Sequence, residues 1–112
     1  MSPLTITTRE AATGPVLEVT GDLDHETAPA LRKAVEGLPV SAGQLLVVDL
    51  TGLDFCDSSG ISALLSARSL AVEHNGQIAL AAVPAKTARV LSIVGLDKVF
   101  AIHPDAATAT AG

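Results

Sequence analysis

The stretch Gln44-Leu45-Leu46-Val47-Val48-Asp49-Leu50 holds large aliphatic side chains at successive positions, with no apolar–polar alternation. A strand wetted on one face alternates; a run without alternation reads as a strand covered on both faces, the situation of a central strand in a parallel sheet. Gln77–Val83 (QIALAAV) repeats the pattern. Parallel neighbours cannot be joined by a tight turn and need a crossover, usually a helix. These two segments therefore predict an α/β fold with helices packed on a mostly parallel sheet.

The stretches around them carry helix signals. Thr27 is placed to cap a first helix and Pro29 falls in its first turn, where a missing N–H costs nothing. Ala28, Leu31, Val35 and Leu38 recur at helical spacing, and Gly37 marks a stop. A second helix opens at Asp57-Ser58-Ser59-Gly60, with Ile61, Leu64, Leu65 and Val72 as its buried stripe. Arg68 lies on that stripe and has to reach outward along its stem. Asn75-Gly76 ends the helix. Pro84 opens a third helix carrying Ala88, Leu91 and Val94, and Gly95 closes it. Val99–Ile102 reads as the last strand, stopped by Pro104.

At the other end, Leu4–Thr8 and Val16–Thr20 read as strands joined by a Gly14-Pro15 turn, an antiparallel hairpin at the sheet edge. Gly21–Asp24 reads as a loop of turn formers and carboxylates, and Thr51–Cys56 as a connection. The predicted order is β-β-α-β-α-β-α-β. Residues 1–104 form one domain in this reading, and 105–112 a C-terminal tail, either a frayed short helix or disordered.

Composition narrows the function. A chain of 112 residues, 48% hydrophobic, can bury a core without staples. Aromatics are only 2%, so the core is built from Leu, Val, Ile and Ala, and neither base-stacking platforms nor large aromatic hot spots are expected. The net charge of −5 lacks the basic footprint of a nucleic-acid binder. No apolar run approaches membrane-spanning length, and the first residues do not read as a secretory signal. The single Cys56 cannot form an internal disulfide, which points to a reducing cytoplasm. His25, His74 and His103 are scattered, so no metal centre is expected. No Gly-rich phosphate loop is present, and no cofactor is expected.

The segment with the most chemistry is Asp57-Ser58-Ser59-Gly60. A helix N-terminus has orphan N–H groups and the positive end of the dipole, both favourable to an anion. Gly60 adds no side chain, so the active site of a modifying enzyme has room to approach. A phosphoserine here adds about −1.5 to −2 charges that the dipole tolerates. The same residues also read as a plain helix cap worth ~1 kcal/mol. The two readings are compatible, because one group caps while a neighbouring hydroxyl stays exposed. A nucleophilic serine needs a base beside it and a strained elbow; neither is visible, so the chain is not read as an enzyme. Asp22 and Asp24 read either as an acid–base or cation-binding pair or as a polar loop.

Gly21-Asp22-Leu23-Asp24 with Thr27-Ala28 and Leu31-Arg32, then Val48-Asp49-Leu50 with Asp57-Ser58-Ser59-Gly60-Ile61, then Gly95-Leu96-Asp97 with Val99-Phe100, together resemble the anti-sigma-factor antagonists. These are stand-alone domains of the sulphate-transporter and anti-sigma-factor-antagonist (STAS) type, and the resemblance covers residues 4–103. It implies a small mixed, mostly parallel sheet with an N-terminal hairpin and packed helices. It also implies a partner switch. The unmodified antagonist binds an anti-sigma factor and frees a sigma factor. The anti-sigma factor is itself a serine kinase that phosphorylates the residue matching Ser59, and the modified antagonist lets go. A serine phosphatase restores it. Asp57, Ser58 and Gly60 match the neighbours of that serine, and Asp22 and Asp24 match an acidic loop beside it. Cys56 departs from the larger apolar residue usual there, and the C-terminal helix is short or missing. The free protein is expected to be a monomer. The alternative within the family is a non-switching adaptor subunit on a transporter ATPase or a signalling scaffold.

Overall fold

The computed structural model describes residues 3–38 and 40–111. Its centre is the strand the aliphatic run predicts. β1 (Thr5–Ala11), β2 (Gly14–Leu23), β3 (Leu45–Cys56), β4 (Gln77–Ala81) and β5 (Ala101–His103) form one five-stranded sheet in that spatial order. β1 and β2 are antiparallel; every other pairing is parallel. The parallel connections are made by α1 (Ala28–Glu36), α2 (Ser58–Glu73) and α3 (Ala85–Ile93), with a 3₁₀ turn at Leu96–Lys98 before β5.

Because successive strand residues point to opposite faces, β3 supplies two cores. Leu46, Val48 and Leu50 join Leu17, Val19 and Leu23 of β2 under Leu31 and Val35 of α1, Leu64 and Ala67 of α2, and Leu91 of α3. Val47 joins Val16 and Ala81 on the opposite face. There a one-turn α4 (Ala106–Ala109), capped by Asp105, buries Ala106 and Ala109. Residues 105–111, read from sequence as a frayed helix or a disordered tail, thus contribute this turn.

Several local expectations are corrected. The hairpin turn falls at Ala12-Thr13, and Gly14-Pro15 already belong to β2, paired with Ala11 and Glu10. Gly21–Leu23 and Thr51–Cys56 are strand rather than loop. The β2–β3 ladder runs on through Gly21↔Leu53, Asp22↔Phe55 and Leu23↔Cys56, with register shifts after Glu18 and after Gly21. Such shifts are bulges, and the turn-forming residues are what they need. Gly21 sits at φ +99, in the left-handed region, and a Cβ there would strike the Pro3 carbonyl.

In α2 the buried face is Gly60, Ile61, Ala63, Leu64, Ala67 and Ala71, while Val72 is 51% exposed and Leu65 half-buried. Alanines four apart let the helix backbone lie close to its neighbours. A reading that weights large side chains misses that stripe. Arg68, one turn after Leu64 on the same face, is half-buried. In α3 the buried residues are Thr87 and Leu91, whereas Val94 is 57% exposed. Phe100 is core, and β5 begins one residue after it.

Candidate functional site

β2 and β3 end side by side at Leu23 and Cys56, and their carboxyl ends feed α1 and α2. In open parallel sheets this edge is where ligands and partners meet the chain. The Asp57 N–H donates to the Leu23 carbonyl at 3.2 Å, tying the start of α2 to the end of β2. The Asp57 carboxylate then caps α2. Its Oδ1 accepts from the Ser59 N–H at 2.9 Å and the Gly60 N–H at 3.1 Å. Neither serine caps. Ser58 is exposed and Ser59 half-buried, and their hydroxyls make no hydrogen bond among the described residues.

Gly60 does not face outward, as expected from sequence, but inward. It is buried, and a Cβ there would lie 2.7 Å from Cys56 Sγ and 2.8 Å from the Leu23 carbonyl oxygen. The missing side chain lets the helix start seat against two strand ends. Cys56 is half-buried at this seat, its thiol 3.7 Å from the Asp57 carbonyl. Burial, and secondarily the Asp57 charge, push the thiol up to about 11. At neutral pH it stays a protonated, unreactive thiol.

Of the acidic loop, Asp24 works on its own backbone. Its Oδ1 accepts from the Glu26 N–H at 3.0 Å and the Thr27 N–H at 3.1 Å. Thr27, expected to cap α1 with its hydroxyl, makes no such bond. Its Oγ1 donates to the Asp22 carbonyl at 2.9 Å and accepts the Asp24 N–H at 2.8 Å. Asp22 is half-buried in β2 opposite Phe55.

Two grooves flank the first turn of α2. On one side a cleft of about 290 Å³ is lined by His25, Ala28, Pro29 and Arg32 from the α1 side and by Ser58, Ser59 and Ser62. On the other a groove of about 220 Å³ is lined by Cys56, Asp57, Ser58, Ile61, Val90 and Val94. It is continued by a hollow of about 390 Å³ holding Phe55, Pro84, Lys86 and Thr87. Ser58 borders both grooves. The structure therefore brings Ser58 and Ser59 together with His25 and Arg32, while Asp22 and Asp24 line neither wall.

Sequence reasoning assigned no part in the site to His25, Arg32, Ser62 or Phe55. Arg32 stood among the residues that carry the resemblance, and the spacing Ala28–Arg32 on α1 and Ser58–Ser62 on α2, one helical turn in each case, puts each pair on a shared face. Phe55, one of the chain's two aromatic residues, is 52% exposed beside the motif. Among the described residues no three His, Cys, Asp or Glu side chains gather as a metal site, and no helix is long and apolar enough to cross a membrane.

Residues 6–103 match the family model described as "Mlab, STAS domain". The anti-sigma-F factor antagonist RsfB of Mycobacterium tuberculosis is 30% identical over 97 residues, covering 87% of this chain and 79% of that protein. The crystal structure of an anti-sigma factor antagonist from Mycobacterium paratuberculosis superposes with a TM-score of 0.83 at 27% identity, over 98% of this chain and 96% of that one. The Bacillus cell fate determinant SpoIIAA in its phosphorylated form shares the fold, with a TM-score of 0.70 at 18% identity over 94% and 96% of the two chains.

Proposed function

The chain belongs to the STAS domain family of anti-sigma-factor antagonists, and from that premise we propose that it is a partner switch set by phosphorylation of Ser59. Unmodified, it binds an anti-sigma factor with serine kinase activity in the cytoplasm, so that a sigma factor is released. The kinase transfers the γ-phosphoryl group of ATP to Ser59 Oγ: the γ-phosphorus–oxygen bond to ADP breaks, the Ser59 O–P bond forms, and the hydroxyl proton passes to a base of the kinase. The phosphorylated chain dissociates. A serine phosphatase hydrolyses the ester and resets it. Asp22, Asp24, Asp57, Ser58 and Gly60 belong to the surface or the scaffold around the switch.

The observation that carries this reading is the division of labour in the first turn of α2. Asp57 takes the cap, so the Ser59 hydroxyl is left out of helix capping and borders an open cleft. A serine needed for the cap would lose helix stability on modification; this one is not so committed.

The energetics suffice. Turning binding from mostly on to mostly off takes ~5.5 kcal/mol. Two unit charges ~6 Å apart at an effective dielectric constant near 20 interact by about 3 kcal/mol. A near-dianionic phosphate facing one acidic group in a closed interface therefore reaches ~5 kcal/mol, with steric bulk added and salt subtracting. The inhibition acts at the interface and leaves the fold intact.

The test is intact mass after incubation with ATP, Mg²⁺ and candidate anti-sigma kinases, with fragmentation to place the phosphate. One phosphate on Ser59 together with loss of kinase binding is the expected result. Full phosphorylation of Ser59→Ala would sink the site assignment. Stable capture of another protein with no phosphoryl transfer would replace the switch with the adaptor reading.

A further inference from the structure

The capping geometry leaves a phosphate on Ser59 short of the counter-charge that a helix start normally offers. The Ser59 and Gly60 N–H groups already donate to Asp57, and the Ile61 N–H donates to the Asp57 carbonyl. Asp57 also puts a carboxylate two residues from the modified oxygen. The positive charge for a phosphate has to come from across the cleft.

Arg32 is what the cleft offers. Its guanidinium reaches from α1 to α2 and donates to the Ser62 hydroxyl at 3.3 Å, three residues beyond Ser59 on the same wall. A guanidinium has five N–H donors and matches phosphate with a two-pronged fork. Here Arg32 is engaged by a neutral hydroxyl, and among the described residues it forms no ion pair, Glu36 one turn along α1 included. His25 lines the same cleft with an imidazole that donates from a ring N–H in either protonation state.

Resting on the proposed modification of Ser59, we propose that Arg32, assisted by His25, is a built-in receptor for the phosphate. The guanidinium leaves the Ser62 hydroxyl and takes the phosphate oxygens, holding them within the α1–α2 cleft. The modified state is then a defined structure on this chain, and the fold absorbs a charge that Asp57 alone would repel. The recognised chemistry is a phosphomonoester on the chain's own α2.

The experiment uses the full chain with phosphoserine installed at position 59 during translation, so its outcome does not depend on any kinase. Urea unfolding is measured for the Ser59 and phosphoserine forms in the natural, Arg32→Ala, Arg32→Lys and His25→Ala backgrounds. A charge-assisted phosphate contact predicts a phosphate effect on the unfolding constant about tenfold more destabilising in Arg32→Ala than in the natural chain. Arg32→Lys restores part of it, because a point charge lacks the fork, and His25→Ala has a smaller effect of about threefold. Ser62→Ala leaves the coupling in place. An equal phosphate effect in the natural chain and in Arg32→Ala overturns the receptor. A kinase that fails to modify Ser59 counts against the switch alone.

Discussion

The two grooves beside the first turn of α2 share Ser58 as a wall and differ in almost everything else. The cleft toward α1 is mixed: three serines, a guanidinium and an imidazole share its lining with Ala28 and Pro29. The groove toward α3 is apolar, with Ile61, Val90 and Val94 and the exposed ring of Phe55 at its far end. The first has groups that answer to charge. The second has area that only a dehydrated contact uses. Under the proposed switch, a phosphate on the first side would control a contact on the second across the same helix turn.

The sharpest way to break this comparison is to exchange the two serines. Ser59→Ala is expected to abolish phosphoryl transfer from the cognate kinase and to leave the partner constitutively bound. Ser58→Ala leaves transfer to Ser59 intact and changes stability by less than about 0.5 kcal/mol, since Ser58 makes no capping bond. Phosphopeptide mapping and urea unfolding read the two. Transfer lost in Ser58→Ala and retained in Ser59→Ala would reverse the assignment.

The next test addresses the apolar side. If the partner of the proposed switch also covers the neighbouring apolar groove, which shares Ser58 with the cleft, Val94→Asp is expected to weaken anti-sigma binding about a hundredfold by placing a charge in a dry contact. Phe55→Ala is expected to cost about thirtyfold, the size of an aromatic hot spot. Both residues are exposed, so stability changes little. Calorimetric titration of the unmodified chain checks this. Unchanged affinity in both variants would leave the apolar groove without a part in the switch.

Gly60 lies beneath the helix turn that parts the grooves, packed on the strand ends. Gly60→Ala pushes a methyl into the Leu23 carbonyl and Cys56 Sγ, and overpacking at such a site costs about 2 kcal/mol. The loss should appear in urea unfolding of the free chain. A neutral result would mean that α2 has room to lift from the strand ends.

How much of this was legible in the sequence follows physical lines. The central strands were legible because burial on both faces forces an unbroken aliphatic run, as in Leu45–Leu50. The helices were legible because Pro, Gly and Asn punctuate them. The strand ends were not: Gly21, Thr51 and Gly52 carry turn chemistry, yet the β2–β3 ladder runs past them through bulges that such residues permit. The stripe of α2 was misread because Ala63, Ala67 and Ala71 bury backbone as much as side chain. Asp57-Ser58-Ser59-Gly60 stood out from its residue types. What faces it, Arg32 and His25, depends on how α1 crosses α2, which no local pattern encodes. Gly60 was read as leaving room for a modifying enzyme, but the room its missing side chain leaves is taken by the chain's own strand ends.

The smallest effect tests how dry the apolar side is at its root. The folded Cys56 thiol is held at about 11, above its ordinary 9.0, chiefly by burial. A raised pKa means the fold prefers the protonated thiol. That contribution is complete below the unfolded value, and it is lost as pH rises through the folded one. Stability should therefore fall between pH 9 and about 11 in the natural chain, and the fall should be shallower in Cys56→Ala. Every other group is common to both chains, so the difference between the two profiles isolates the thiol. Slow alkylation of the folded chain at pH 8, relative to a urea-unfolded control, is the companion measurement. Identical pH profiles and rapid alkylation would mean that water reaches the Cys56 end of the groove. The contrast between a dry side and a wet side of α2 would then begin only at Ile61.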